Sequence, residues 1–148
     1  KFCNGLRKAF GKKLSDEQII EAWNSLLLDL PKQRVELLFK LKQQFPLYLL
    51  SNTNQIHVDY FENYIEKTYG NNVLKEIFVT YYYSNQIGLR KPHKECFDYV
   101  ISENRLNPQS TLFIDDSIQH IEGASSCGIL THHVTDGEDI ISIFEKWL

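Results

Sequence analysis

Pro46-Leu47-Tyr48-Leu49-Leu50-Ser51-Asn52-Thr53-Asn54 sets an apolar run directly before four short polar residues. An apolar run without polar alternation reads as a strand buried on both faces, as in a parallel sheet covered by helices. The polar residues then stand at the strand's carboxyl end, where such sheets bind ligands. The same pattern recurs downstream. Thr111-Leu112-Phe113-Ile114 precedes Asp115-Asp116-Ser117, and Ile129 to Val134 and Ile77-Phe78-Val79-Thr80-Tyr81 supply two further strand-like runs.

Helical patterns separate these strands. On one side of the first run, Ser15 to Leu30 carries a capping-box pair, Ser15 and Gln18, with Ile19, Ile20, Trp23, Leu26, Leu27 and Leu30 on one face. Pro31 stops it, and Lys32 to Gln44 reads as a second helix with Val35, Leu38 and Phe39 inward. On the other side, Ile56, Tyr60, Tyr64 and Ile65 recur at helical spacing up to Tyr69-Gly70. Pro92 to Asn104, Ser117 to Ser126 and Gly137 to Leu148 complete the set. Strand and helix alternate, which predicts an α/β fold: a doubly wound, Rossmann-like parallel sheet with helices on both faces.

Composition narrows the function. A chain of 148 residues, 43% hydrophobic and 24% charged, fits one globular core. Sixteen basic and 19 acidic residues give a formal charge of -3 without long single-sign runs, which argues against nucleic acid as a partner. No apolar run approaches the roughly 18 residues of a membrane span, so a soluble chain without a membrane partner is expected. Cys3, Cys96 and Cys127 form neither a disulfide framework nor a zinc pattern, and a reducing cytoplasm is the expected location. Cys96 and Cys127 fall where apolar helix residues belong and read as buried, inert thiols.

Three stretches can carry chemistry. Two adjacent carboxylates, Asp115 and Asp116, repel each other unless a cation sits against them; a divalent ion such as magnesium satisfies that, while capping of the following helix is the plainer alternative. Ser51, Asn52 and Thr53 begin a helix and either hold an anion such as phosphate or serve as an ordinary N-terminal cap. In Gly88-Leu89-Arg90-Lys91-Pro92, proline stiffens the backbone beside Lys91. Its ammonium either neutralises a phosphate and nearby carboxylates or is one more surface lysine.

In order, LLSNTN at Leu49 to Asn54, GLRKP at Gly88 to Pro92 and FIDDSIQHIEGA at Phe113 to Ala124 resemble the second, third and fourth motifs of the haloacid dehalogenase-like hydrolases. The likeness runs from about Trp23 to His133 and is nearest the small-cap phosphatase branch, which includes sugar-phosphate phosphatases. The resemblance implies that Ser51 contacts the transferring phosphoryl group with Asn52 and Thr53 beside it, and that Lys91 stabilises nucleophile and phosphoryl oxygens. It implies that Asp116 ligates magnesium, with Asp115 a ligand or held through water. Transfer to an aspartate followed by hydrolysis is the implied chemistry.

The family's first motif, a D-x-D pair after the first strand, is not found in the sequence, and neither Asp16 nor Asp29 sits after a strand-like run. Residues 1–30 resemble the later part of a helical cap, and 31–148 a core lacking its first, central strand. With no methionine at any position, the chain is expected to be a piece of a longer enzyme, inactive alone. The missing strand belongs between those ending at Leu50 and Ile114, leaving two central edges unpaired. At His120 many relatives carry Asn or Asp; the histidine either weakens metal binding or faces away. The implied function is a magnesium-dependent phosphomonoesterase for a small cytoplasmic phosphate ester, a sugar phosphate among them. A dehalogenase, a phosphomutase and a non-catalytic binding module are the competing readings.

Overall fold

The computed structural model describes residues 1–11 and 13–144. Helix α1 (Phe2–Phe10) and α2 (Asp16–Asn24) come first. The capping box forms as its sequence predicts: Ser15 Oγ accepts from Gln18 N at 3.2 Å, and Gln18 Oε1 accepts from Ser15 N at 3.0 Å. Helix α2 ends at Asn24, well short of Leu30, and Leu26 and Leu28 are exposed. Pro31 instead starts α3 (Lys32–Leu41). That helix buries two faces. Val35 joins Ile65, Val73, Leu74 and Ile77 in one cluster, while Leu37 and Leu41 join Phe144 in another.

Strand β1 (Tyr48–Ser51) feeds α4 (Gln55–Tyr69), which ends in a left-handed Gly70. The run 77–81 divides differently from its sequence reading: Val73–Ile77 is a short helix, α5, and strand β2 spans Thr80–Tyr83. Ile77 is buried from a helix, where its apolar character serves equally well. After α6 (Ser84–Ile87), α7 (Lys94–Asn104) buries Cys96, Phe97 and Val100. Strand β3 (Leu112–Asp115), α8 (Ile118–Ser126), β4 (Leu130–His133) and α9 (Ile140–Phe144) follow. The last residues of the expected closing helix, 145–148, lie outside the described residues.

Pairing is parallel but divided. β1 pairs with β2, Tyr48 opposite Thr80, and β3 pairs with β4, Leu112 opposite Leu130. Among the described residues the two ladders do not join into one sheet. Each of β1 and β3 therefore has one edge without a strand partner among the described residues. The halves nevertheless share apolar clusters. Leu50 of β1 and Phe113 of β3 pack on Phe97, Ala124 and Ile129, while Leu47 and Ile114 pack on Leu37, Leu41 and Phe144. Burying a side chain such as Phe97, 1% exposed, stabilises by roughly 1.5–3 kcal/mol.

Gly123 sets how closely α8 approaches the lysine-bearing turn. A Cβ there would lie 2.4 Å from the Pro92 carbonyl oxygen and 2.9 Å from the Phe97 ring. Only glycine lets the first turns of α8 sit this close to Pro92.

Candidate active site

The carboxyl ends of β1 and β3 meet at Lys91. Its residue is 7% exposed, so the surface-lysine alternative does not hold. Nζ donates to Asp115 Oδ2 at 2.6 Å and lies 5.4 Å from the centre of the Phe113 ring, which adds a cation–π contact. The backbone of Lys91 is clamped by one side chain: its N–H donates to Asn52 Oδ1 and its carbonyl accepts from Asn52 Nδ2, both at 2.9 Å. Asn52 thus behaves like a strand partner for a residue far along the chain.

Asp115 ends β3 with a side chain only 8% exposed. Besides Lys91 on Oδ2, its Oδ1 accepts from the Ser117 backbone N–H and pairs with His120 Nδ1, each at 2.9 Å. Burial pushes this carboxyl up, but the hydrogen bonds from Lys91, Ser117 and His120, with the Lys91 charge, outweigh it and hold Asp115 below its ordinary value. His120 therefore faces the carboxylate and does not point away. Asp116, by contrast, is exposed. Its carbonyl accepts from His133 Nε2 at 3.0 Å, and its carboxylate has no hydrogen-bond or ion-pair partner among the described residues.

The loop after β1 is tied down by a residue that its own sequence does not announce. Ser84 Oγ accepts from Thr53 N at 2.9 Å and donates to Thr53 O at 3.0 Å. Asn54 caps α4 through His57 N at 3.1 Å. The Thr53 amide and the Asn52 side chain are engaged by other protein groups, whereas the hydroxyls of Ser51 and Thr53 have no hydrogen-bond partner among the described residues. Both thiols read as inert are pushed up by burial; Cys127, however, terminates α8 and is only partly buried.

No three His, Cys, Asp or Glu side chains converge as a metal cage among the described residues. A hard, strongly hydrated cation needs no such cage, since one or two carboxylates with waters and a substrate oxygen suffice. The unpaired Asp116 carboxylate, directly after a strand and beside a cation-paired aspartate, fits that donor set. A hollow of about 350 Å³ lined by Lys42, Phe45, Pro46 and Ile77 lies before β1 and β2, at the ends opposite these groups.

A family model for haloacid dehalogenase-like hydrolases matches residues 5–128. The chain belongs to that family. It is 28% identical over 129 residues to a D-ribitol-5-phosphate phosphatase of Bacteroides thetaiotaomicron, an alignment covering 87% of this chain and 62% of that protein. The chain thus spans less than two thirds of that relative's length. A haloacid dehalogenase-family enzyme from Bacteroides thetaiotaomicron, solved with magnesium and inorganic phosphate, superposes with a TM-score of 0.86 at 37% identity, over 97% of this chain and 72% of that one. A haloacid dehalogenase-like hydrolase from Porphyromonas gingivalis superposes with a TM-score of 0.85 at 27% identity, over 97% and 70%. These neighbours carry the family's α/β fold, so the divided ladders here are two halves of that architecture. Within it, Lys91, Asp115 and Asn52 form one bonded group, and Ser51 and Asp116 border it.

Proposed function

We propose that this chain is the larger part of a magnesium-dependent phosphomonoesterase acting on a small phosphate ester of the polyol- or sugar-phosphate class. The observation that carries the reading is the Lys91–Asp115 pair at 2.6 Å, buried at the strand ends beside the unpaired Asp116 carboxylate. The D-ribitol-5-phosphate phosphatase relative and the neighbour solved with magnesium and phosphate support the same class. Residues 1–30 would be the remaining part of a cap. Three free cysteines and the lack of any helix long and apolar enough to cross a membrane, among the described residues, suit a cytoplasmic enzyme.

In this reading Ser51 Oγ donates to a phosphoryl oxygen, and the Lys91 ammonium draws phosphoryl negative charge toward the strand ends. Asp116 would hold magnesium, which when bound neutralises phosphoryl charge and orients the ester. Asn52 keeps the Lys91 backbone fixed, so that Nζ requires little reorganisation as charge develops. The attacking carboxylate would come from a strand outside these 148 residues, lying along the free edges of β1 and β3. It would displace the alcohol from phosphorus, and water would then hydrolyse the acyl phosphate.

The test is phosphate release by the full-length protein from ribitol 5-phosphate, from sugar phosphates and from a generic aryl phosphate, with magnesium and with a chelator. Magnesium-dependent turnover that falls on the order of 10²-fold or more in Lys91→Met is expected. Turnover indifferent to the chelator, or none from any ester, overturns the reading and leaves a non-catalytic binding module in front.

A further inference from the structure

His120 closes a ring of hydrogen bonds across the two half-sheets. A carboxylate can only accept, so the 2.9 Å contact with Asp115 Oδ1 fixes the proton of His120 on Nδ1. The opposite ring nitrogen, Nε2, lies 3.5 Å from Asn52 Nδ2. The orientation of that amide is settled independently, because the Lys91 N–H needs its oxygen and the Lys91 carbonyl needs its NH₂. Asn52 therefore turns its NH₂ toward His120 Nε2, at the long end of hydrogen-bond distance. Asp115 requires the proton on Nδ1, and the amide on the other side of the ring is turned so that it can donate to Nε2.

The ring runs Asn52, Lys91, Asp115, His120 and back to Asn52. It joins the loop after β1, the turn before α7, the end of β3 and the first turn of α8. With Lys91 on one oxygen and Ser117 and His120 on the other, Asp115 is engaged on both sides. The Asp116 carboxylate has no such engagement among the described residues. Were the His120 bond lost, Oδ1 would keep only the Ser117 amide, and the carboxylate and Lys91 Nζ would both be freer to move toward Asp116, where the ammonium competes with a cation.

We propose that His120 is a positioning residue: held as the Nδ1–H tautomer between Asp115 and Asn52, it fixes Asp115 as the anchor of Lys91 and leaves Asp116 as the carboxylate that takes the divalent cation. The cation rests on the phosphatase reading above; the tautomer and the ring do not.

Two measurements on the full-length protein test it. In a ¹⁵N-histidine-labelled sample without metal or substrate, His120 should show a protonated Nδ1 and an unprotonated Nε2; a protonated Nε2 overturns the ring. Titration with magnesium alone should show affinity lowered roughly 10–100-fold in His120→Ala and substantially recovered in His120→Asn, whose amide can again donate to Asp115. Equal affinities in wild type and His120→Ala, or no recovery in His120→Asn, overturn the positioning role. The tautomer is read whether or not any ester is hydrolysed, so failure of the phosphatase reading and failure of this proposal are distinguishable.

Discussion

The strand-end site and the joint between α2 and α4 treat buried polar groups in opposite ways. At the strand ends, Lys91, Asp115 and Asn52 satisfy one another with short bonds from three separate segments. At the helical joint, Trp23 packs between Phe2 and His57, and its carbonyl accepts from His57 Nε2 at 3.2 Å. Yet Trp23 Nε1 and Asn24 Oδ1 are buried without a partner among the described residues. A buried unpaired group is destabilising by roughly 1–3 kcal/mol. The strand-end site therefore completes its own polar network, whereas the joint between α2 and α4 leaves two groups without a partner among the described residues.

The largest expected effect breaks the closed side of this contrast. Lys91→Ala strands a buried carboxylate and should destabilise by about 3–5 kcal/mol in urea titration of the full-length protein; a change under about 1 kcal/mol would mean that the pair is solvated. Its pH dependence follows. Because Asp115 is held below the ordinary carboxylate value of 3.8 in the fold, its stabilisation is fully present above about pH 4 and disappears as pH falls through the lower folded value. Removing Lys91 removes a main cause of that depression, so the acid-unfolding midpoint should move to higher pH. An unchanged midpoint would show that other groups dominate acid unfolding.

Gly123→Ala comes next. It leaves every polar partner in place but pushes a methyl into the Pro92 carbonyl, and should destabilise by roughly 1–3 kcal/mol, read by the same titration. A neutral result would mean that α8 can shift without disturbing the lysine turn. Asn24→Leu has the smallest effect. Deleting an unpaired buried oxygen should change stability by no more than about 0.5 kcal/mol, or raise it. A loss above about 1 kcal/mol would show that Oδ1 has a partner in the full-length protein and that the joint is not open.

The placement of the candidate site's residues at strand ends was legible because an apolar run turns polar there. LLSN and FIDD end strands β1 and β3 within a residue of their expected places, and the Ser15 capping box needs only local spacing. The misread element was the run from Ile77 to Tyr81, since a short apolar stretch suits a helix or a strand and only packing decides. Helix α2 likewise stops at Asn24, short of its expected end at Leu30, and leaves Leu26 and Leu28 exposed. The bonds that shape the site were illegible for a different reason. Ser84 to Thr53, Asn52 to Lys91 and His120 to Asp115 join segments that only the fold brings together, or choose between two orientations of one ring.

The unequal roles proposed for Asp115 and Asp116 are tested most directly by calorimetric titration of magnesium into the full-length protein and its Asp115→Asn and Asp116→Asn variants. Asp116→Asn should abolish measurable binding, while Asp115→Asn should weaken it only by roughly 10–100-fold, as an outer partner would. Equal losses, or a greater loss in Asp115→Asn, would contradict the assignment of Asp115 as anchor and Asp116 as ligand.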